Sequence, residues 1–289
     1  MIGSDKMETT PQEENLDITG SLRPRVGRLL IIVGLLFLAD LYLKTGWLTQ
    51  LILPVFGIVL IVNAFHYGSS GLMVGGSVLT GLGLAGFVGL SNLLSLSLLG
   101  RIGAALLAFG LSWCLITLFS TLMSRPAAWW ALIPAAVITG AGLSFFATPP
   151  RAVDFTLYIV SLLGAAFLAW GLVRRLFGLI IPGSLLGGIG PGIYIAWGPA
   201  GLGNGLARTG IMLVSFALGW GLITLFSRRV THAFVWWPLI PGGVLAMVGW
   251  GLYIGGNPSN AAAFIGNTGS IALILFGIYL VLLRRGISR

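Results

Sequence analysis

The chain has 289 residues, of which 57% are hydrophobic and only 8% charged, and its mean hydropathy is +1.01. This leaves too little polar surface to cover a water-soluble globule, so the composition predicts an all-α integral membrane protein surrounded by the lipid bilayer. The net charge of +9 comes from bases that stand singly or in pairs between apolar runs. Because no basic stripe with interleaved aromatics occurs, we expect no nucleic-acid partner.

Residues 1–22 differ in composition from the rest of the chain. They hold one base, Lys6, and five acids, and they show no periodic apolar face. We therefore predict a disordered, acidic, cytoplasmic tail over 1–22 and a polytopic membrane domain over 23–289.

The membrane domain begins with Arg23, Arg25 and Arg28, followed by an apolar run at 29–43. This order resembles a signal peptide, but the preceding tail is long and acidic, and ADLYLKTGW follows in place of a cleavage site. We interpret the run as a retained first membrane span. Nine more apolar segments of suitable length predict ten spans in total, the later ones at about 49–66, 71–90, 102–122, 128–147, 155–173, 177–197, 209–227, 234–254 and 264–283.

The distribution of Lys and Arg predicts the orientation of these spans, since short cytoplasmic loops accumulate both residues. With the N-terminus inside, twelve bases fall on the cytoplasmic side and four on the outer side. The outer four are Lys44, Arg101, Arg151 and Arg208. We therefore expect both termini to be cytoplasmic and the membrane to be a bacterial plasma membrane.

Two long stretches of the chain are similar to each other at a constant offset of 107 residues, which we call the repeat shift. The segment FGLSWCLITLFS at 109–120 matches FALGWGLITLFS at 216–227 at nine of twelve positions, and 71–83 matches 178–190 at seven of thirteen. The duplicated blocks are about 47–153 and 154–260. Each block holds four spans, so the two copies are predicted to share one orientation as parallel internal repeats.

A shorter pattern lies within each block. Helices that begin near a Pro or Gly alternate with helices such as LAFGLSWCLI and FALGWGLIT, so five copies of one two-helix hairpin account for all ten spans.

The first of these hairpins, RLLIIVGLLFLADLYLKTGWLTQLILPVFGIVLIVNAF, resembles the LiaI/LiaF-type transmembrane region of bacterial envelope-stress proteins. It shares an apolar run with a central Gly, a short Gly-Trp connection, and a second run that begins with Pro and Gly. The resemblance implies a regulator or accessory of cell-envelope sensing without enzymatic activity.

Two acid–base pairs are predicted at the outer face. Asp40 precedes Lys44 by four residues, and Arg151 precedes Asp154 by three, where the carboxylate also complements a helix N-terminus. Structural ion pairing is the simpler interpretation, and a role in solute or ion movement stays open.

Arg101 and Arg208 are equivalent under the 107-residue shift and begin spans on the outer side, against the positive-inside trend. Both side chains can extend to the interface, or they can contact an anionic headgroup or substrate. The Trp pairs 129/130 and 236/237 are predicted at the inner headgroup level, and anchoring is favoured over ligand stacking. These interface anchors are Trp129, Trp130, Trp236 and Trp237.

The sequence offers few reactive groups inside the predicted spans. Cys114 is the only cysteine, and the two histidines, His66 and His232, have no second ligand at metal spacing, so we expect no metal or other cofactor. Gly81 to Gly86 matches G-x-G-x-x-G formally, but no strand precedes it, and a close-packed helix face is favoured. The Gly-xxx-Gly spacings at 71/75, 183/187 and 188/192 favour the same interpretation.

Two functions fit these patterns. The first is a non-catalytic sensor, scaffold or regulatory subunit of the cell envelope, with a membrane-protein partner or a second copy of the chain. The alternative is a transporter or flippase for a small or lipid-like solute, whose site lies where the two repeats meet. No enzyme is expected, because two histidines and two acids outside the tail do not supply a nucleophile, a base and an orienting acid.

Overall fold

The structure is a computed structural model, and it describes residues 31–44, 48–90, 95–122, 128–201, 203–256 and 273–281. Within these ranges the regular structure is helical, and no strand occurs. The predicted acidic tail, the three arginines before the first span and about half of the last predicted span lie outside the described residues.

Helices occur in all ten segments that the hydropathy pattern singles out. Single 3₁₀ turns, Thr49–Leu51 and Trp129–Ala131, precede the second and fifth of them. In chain order the helices are α1 (Ile31–Leu43), α2 (Ile52–Tyr67), α3 (Ser70–Leu90), α4 (Leu98–Leu122), α5 (Leu132–Ser144), α6 (Ala152–Arg174), α7 (Phe177–Trp197), α8 (Gly205–Thr231), α9 (Leu239–Gly255) and α10 (273–281).

Among the described helices, five are long and apolar enough to cross a membrane: α3, α4, α6, α7 and α8, with 21 to 27 residues each. About 20 residues are needed to cross a hydrocarbon layer of about 30 Å. The helices α2 and α9 have 16 and 17 residues, and α5 has 13 after its 3₁₀ turn. The chain thus has the helical, apolar character of a membrane protein.

Proline explains why three shorter helices begin later than the hydropathy pattern predicts. Pro54, Pro134 and Pro241 each stand at the third residue of their helix, α2, α5 and α9. The first turn tolerates proline because its N–H groups have no partner within the helix. In contrast, Pro182 and Pro191 lie inside α7, where each removes a backbone hydrogen bond.

The chain divides into two compact units, the first ending at Ser95 and the second beginning at Leu96. In the first unit α2 packs against α3. In the second unit each helix from α4 to α8 packs against the next helix in sequence, and α6 also touches α8. The core of the second unit therefore consists of contacts between successive antiparallel helices.

Four of these helix pairs share one kind of contact, in which a glycine on each helix faces the backbone of the other. A methyl group on Gly142 would lie 2.9 Å from the carbonyl oxygen of Gly103, and one on Gly103 would lie 2.8 Å from that of Gly142. The helices touch backbone to backbone at such points, as small residues allow between membrane helices. The other three pairs are Gly57 with Gly76, Gly164 with Gly183, and Gly210 with Gly249.

The contacts and helix boundaries recur at the repeat shift. Under this shift Gly57 and Gly76 become Gly164 and Gly183, and the first residues of α3, α4 and α5 become those of α7, α8 and α9. The C-caps of α2 and α6 are related by the same shift, and both adopt the left-handed conformation, with φ of 61° at Gly68 and 52° at Arg175.

The Gly-xxx-Gly spacings give a mixed result. Gly188 and Gly192 face Ser215 of α8, with methyl-to-atom distances of 2.7 Å, as a close-packed face requires. Gly75 has open space around its Cα, and Gly71 has its nearest neighbour at 4.0 Å. The prediction of a packed face at 71/75 is therefore wrong for this unit, because α3 turns Gly76 and Gly83 toward α2 instead.

Candidate functional site

Arg101 and Arg208 occupy matching positions in the first turns of α4 and α8. The preceding residues cap both helices: Ser97 Oγ accepts from the N–H of Gly100 at 3.2 Å, and Asn204 Oδ1 accepts from the N–H of Ala207 at 3.1 Å. Both arginine side chains are half-buried. A cation at a helix N-terminus opposes the helix dipole, so neither position favours arginine for the helix alone.

The structure places these two arginines on α4 and α8, which α5, α6 and α7 separate in the packing order. Arg208 Nε is buried without a hydrogen-bond partner within the described part of the chain. Each arginine therefore belongs to the first turn of a different helix, and the two helices are not neighbours in the packing order.

Asp154 acts at the start of α6 through the backbone. It is the third residue of the helix and is 5% exposed, and its Oδ2 accepts a hydrogen bond from the N–H of Arg151 at 2.9 Å. A carboxylate in this position satisfies a free N–H and complements the helix dipole. The Arg151 side chain itself is exposed.

Asp40 near the end of α1 is also buried, at 8% exposure, and its Oδ1 accepts from the N–H of Leu48 at 3.3 Å. This bond joins the helix to the chain that follows it. Lys44 is exposed and has a positive φ of 50°. The ion pair between Asp40 and Lys44 stays a prediction.

The predicted Trp anchors have partners that sequence analysis missed. Trp130 packs edge-on against Trp113 of α4, with ring centroids 6.0 Å apart, and Trp237 packs in the same way against Trp220 of α8, at 5.8 Å. Such pairs stabilise a hairpin beyond the area they bury. The two pairs have the same separation in sequence, and this common spacing could have indicated the pairing. Trp129 is half-buried and Trp236 is 63% exposed.

Buried serines tie the ends of α4 and α8 to the segment that follows. Ser120 Oγ donates to the carbonyl of Thr117 at 2.9 Å and accepts from the N–H of Ala128 at 2.9 Å. Ser227 Oγ donates to the carbonyl of Thr224 at 2.7 Å and accepts from the N–H of Val235 at 3.2 Å. Sequence analysis missed both serines because only the folded chain brings a donor eight residues away to the hydroxyl.

A contact between two loops was also missed. Arg175 Nη1 lies 3.1 Å from His232 Nε2, although the two residues are 57 positions apart. Arg175 is the C-cap of α6 and His232 is the C-cap of α8, and both have left-handed backbone conformations. The sequence indicated Arg175 only as a basic loop residue and His232 only as a residue near a helix end, so it did not predict a contact between them.

Several buried hydroxyls inside the helices bind carbonyls of their own helix. Thr80 donates to Gly76, Ser112 to Phe109 and Ser144 to Gly140, at 2.6 to 2.8 Å. Ser77, Ser161, Ser184 and Thr224 differ, because their buried hydroxyl oxygens have no hydrogen-bond partner in the described structure.

In the described ranges, no group of three or more His, Cys, Asp or Glu side chains lies together in a way that could hold a metal ion. Comparison of the chain with models of protein families, with curated proteins and with solved structures finds no match. What the chain does is therefore inferred from its own residues and geometry.

Proposed function

We propose that the chain is a polytopic protein of ten membrane spans, built as five hairpins that include a four-helix block duplicated in parallel at the repeat shift. The glycine contacts, helix starts and left-handed caps that recur at this shift support the duplication. Helices too short to span the full hydrocarbon layer can cross where flanking residues reach the interface or the bilayer thins locally.

The proposed orientation has both termini in the cytoplasm of a bacterial cell. It is supported by the excess of Lys and Arg on one side of the spans. In this orientation the Trp113–Trp130 and Trp220–Trp237 pairs share the cytoplasmic half of the membrane with the contact between Arg175 and His232.

The function that the geometry supports best is that of a non-catalytic scaffold, sensor or regulatory subunit of the cell envelope. One observation carries it: at four helix crossings a glycine on each helix faces the backbone of the other, and buried hydroxyls such as those of Thr80, Ser112 and Ser144 bind carbonyls of their own helix. Such an interior serves helix association. The resemblance of 29–65 to LiaI/LiaF-type hairpins agrees with a regulatory role, and a membrane-protein partner or a second copy completes the assembly.

Crosslinking in intact cells, followed by purification of the full chain, tests this role. We expect one membrane protein, or the chain itself, at a fixed stoichiometry. An unrelated polytopic protein expressed at the same level serves as control and should not yield that partner. A chain that purifies alone and moves a solute in proteoliposomes would contradict the scaffold role.

A second function, transport of a small or lipid-like solute, is favoured by α7. This helix contains Pro182 and Pro191, and the buried Oγ of Ser184 between them has no partner in the described structure. Apolar helices that contain proline are a pointer to transporter binding sites. For this function, replacing Arg101 and Arg208 by Ala should abolish a measurable flux in proteoliposomes, and an unchanged flux would exclude these arginines from the solute path.

A further inference from the structure

Two turns at one end of the second unit are joined by basic side chains. The contact between Arg175 Nη1 and His232 Nε2, at 3.1 Å, links the end of α6 to the end of α8. Both side chains are exposed, so the pair lies open to the surroundings of the helix ends.

The backbone at both residues is unusual for their side chains. Arg175 has a φ of 52° and His232 a φ of 56°, a conformation that glycine adopts readily and other residues rarely. The corresponding turn after α2 has Gly68 in the same conformation. Because glycine serves this turn, the fold does not require an arginine at 175.

Two more arginines lie within one helical turn of His232. Arg228 and Arg229 precede His232 by four and three residues, which places them one helical turn away on α8, and both are exposed. At the matching places of the first block the sequence has Thr121 and Leu122. These three arginines therefore have no basic counterpart at the matching positions of the first block.

No acidic side chain of the second unit can balance this charge. Asp154 is the only Asp or Glu in 96–289. It lies in the first turn of α6, whereas Arg174 lies in the last turn, which corresponds to a separation of about 30 Å along the helix axis. A cluster of this kind attracts an anion from outside the unit.

We propose that Arg175 and His232, with Arg228, bind the phosphate group of an anionic phospholipid headgroup. Guanidinium groups donate paired hydrogen bonds to phosphate oxygens, and an imidazole N–H adds a third donor. The position at the ends of apolar helices corresponds to headgroup depth. Free phosphate shares this chemistry, and the experiment below separates the two sources.

The test compares thermal protection of the purified full chain by phosphatidylglycerol, phosphatidylcholine and inorganic phosphate. Phosphatidylglycerol should protect the unaltered protein and the other two should not. Arg175→Gly, which suits the left-handed turn, and His232→Asn, which tolerates it, should each weaken the apparent affinity for phosphatidylglycerol by about tenfold, as expected for one lost charge-assisted hydrogen bond.

Arg174→Ala is the matched control, because it removes the same charge from the neighbouring residue. If Arg174→Ala weakened the affinity for phosphatidylglycerol equally, the binding would reflect general attraction between positive charge and anionic lipid, and the proposal would be overturned. Full retention of affinity in Arg175→Gly would also overturn it. Equal protection by inorganic phosphate would overturn the assignment to a lipid.

The inference rests on the proposed membrane placement. Reconstitution of every variant into lipid vesicles measures that placement separately from headgroup preference. Failure of all variants to insert would contradict the placement, whereas insertion without preference would contradict only the headgroup site.

Discussion

At the scale of single residues, buried hydroxyls near helix ends hold the segment that follows the helix through hydrogen bonds. Ser227 is fully buried, and its Oγ joins the carbonyl of Thr224 to the N–H of Val235. Replacing Ser227 by Ala leaves that N–H without an acceptor, and we expect the free energy of unfolding to fall by about 1–3 kcal/mol. Denaturant titration of the detergent-solubilised protein measures the change.

Thr121→Ala provides the control for this prediction. Its hydroxyl donates to the carbonyl of Leu118 at 2.6 Å, but the residue is exposed at the end of α4. Its loss should change the unfolding free energy little, since solvent or headgroups can replace the bond. Equal destabilisation by both substitutions would show that Ser227 has no special role in holding the following segment.

At the scale of helices, the same Gly→Ala substitution should change stability in opposite directions at two positions of α9, because only one of them contacts a neighbouring helix. A methyl group on Gly249 of α9 would lie 2.8 Å from the carbonyl oxygen of Gly210, whereas Gly251 has open space around it. Gly249→Ala should therefore destabilise the protein by about 1–3 kcal/mol through overpacking. Gly251→Ala should stabilise it by about 0.5–1 kcal/mol through better helix formation. Thermal unfolding in one detergent compares the two directly, and destabilisation of the same size by both would contradict the packing.

The sequence predicted where helices occur but not which face of each helix would pack. Long apolar runs indicate helices well, because a helix that crosses a bilayer needs about 20 predominantly apolar residues, whichever neighbour it packs against. The contacting face depends on the partner, so Gly76 and Gly83 face α2 while Gly75 does not. Proline positions, once interpreted as first-turn residues, account for the late starts of α2, α5 and α9.

The candidate site was predictable only in part for the same reason. Arg101, Arg208 and Asp154 stand out in the sequence because charges are rare there, and all three lie in first helical turns. Arg175 and His232 lie far apart in the sequence, and only the packing of α6 and α8 brings them together. Pairing between distant loops leaves no periodic pattern in a single sequence.

At the scale of the whole molecule, similar helix contacts recur at positions related by the repeat shift. Helices α2 to α5 carry paired glycines at two crossings and one Trp pair, and helices α6 to α9 carry the same contacts at the repeat shift. The C-caps of α2 and α6 differ in residue type, since Gly68 corresponds to Arg175.

Cysteine accessibility in intact cells tests the proposed alternation of sides most directly. In a Cys114→Ala background, single cysteines replace Ser69 and Ala233 on the proposed cytoplasmic side and Ala152 and Ala200 on the outer side. A membrane-impermeant maleimide should label 152 and 200 in intact cells, and 69 and 233 only after permeabilisation. Labelling of all four positions in intact cells, or recovery of the chain in the soluble fraction without detergent, would contradict the account.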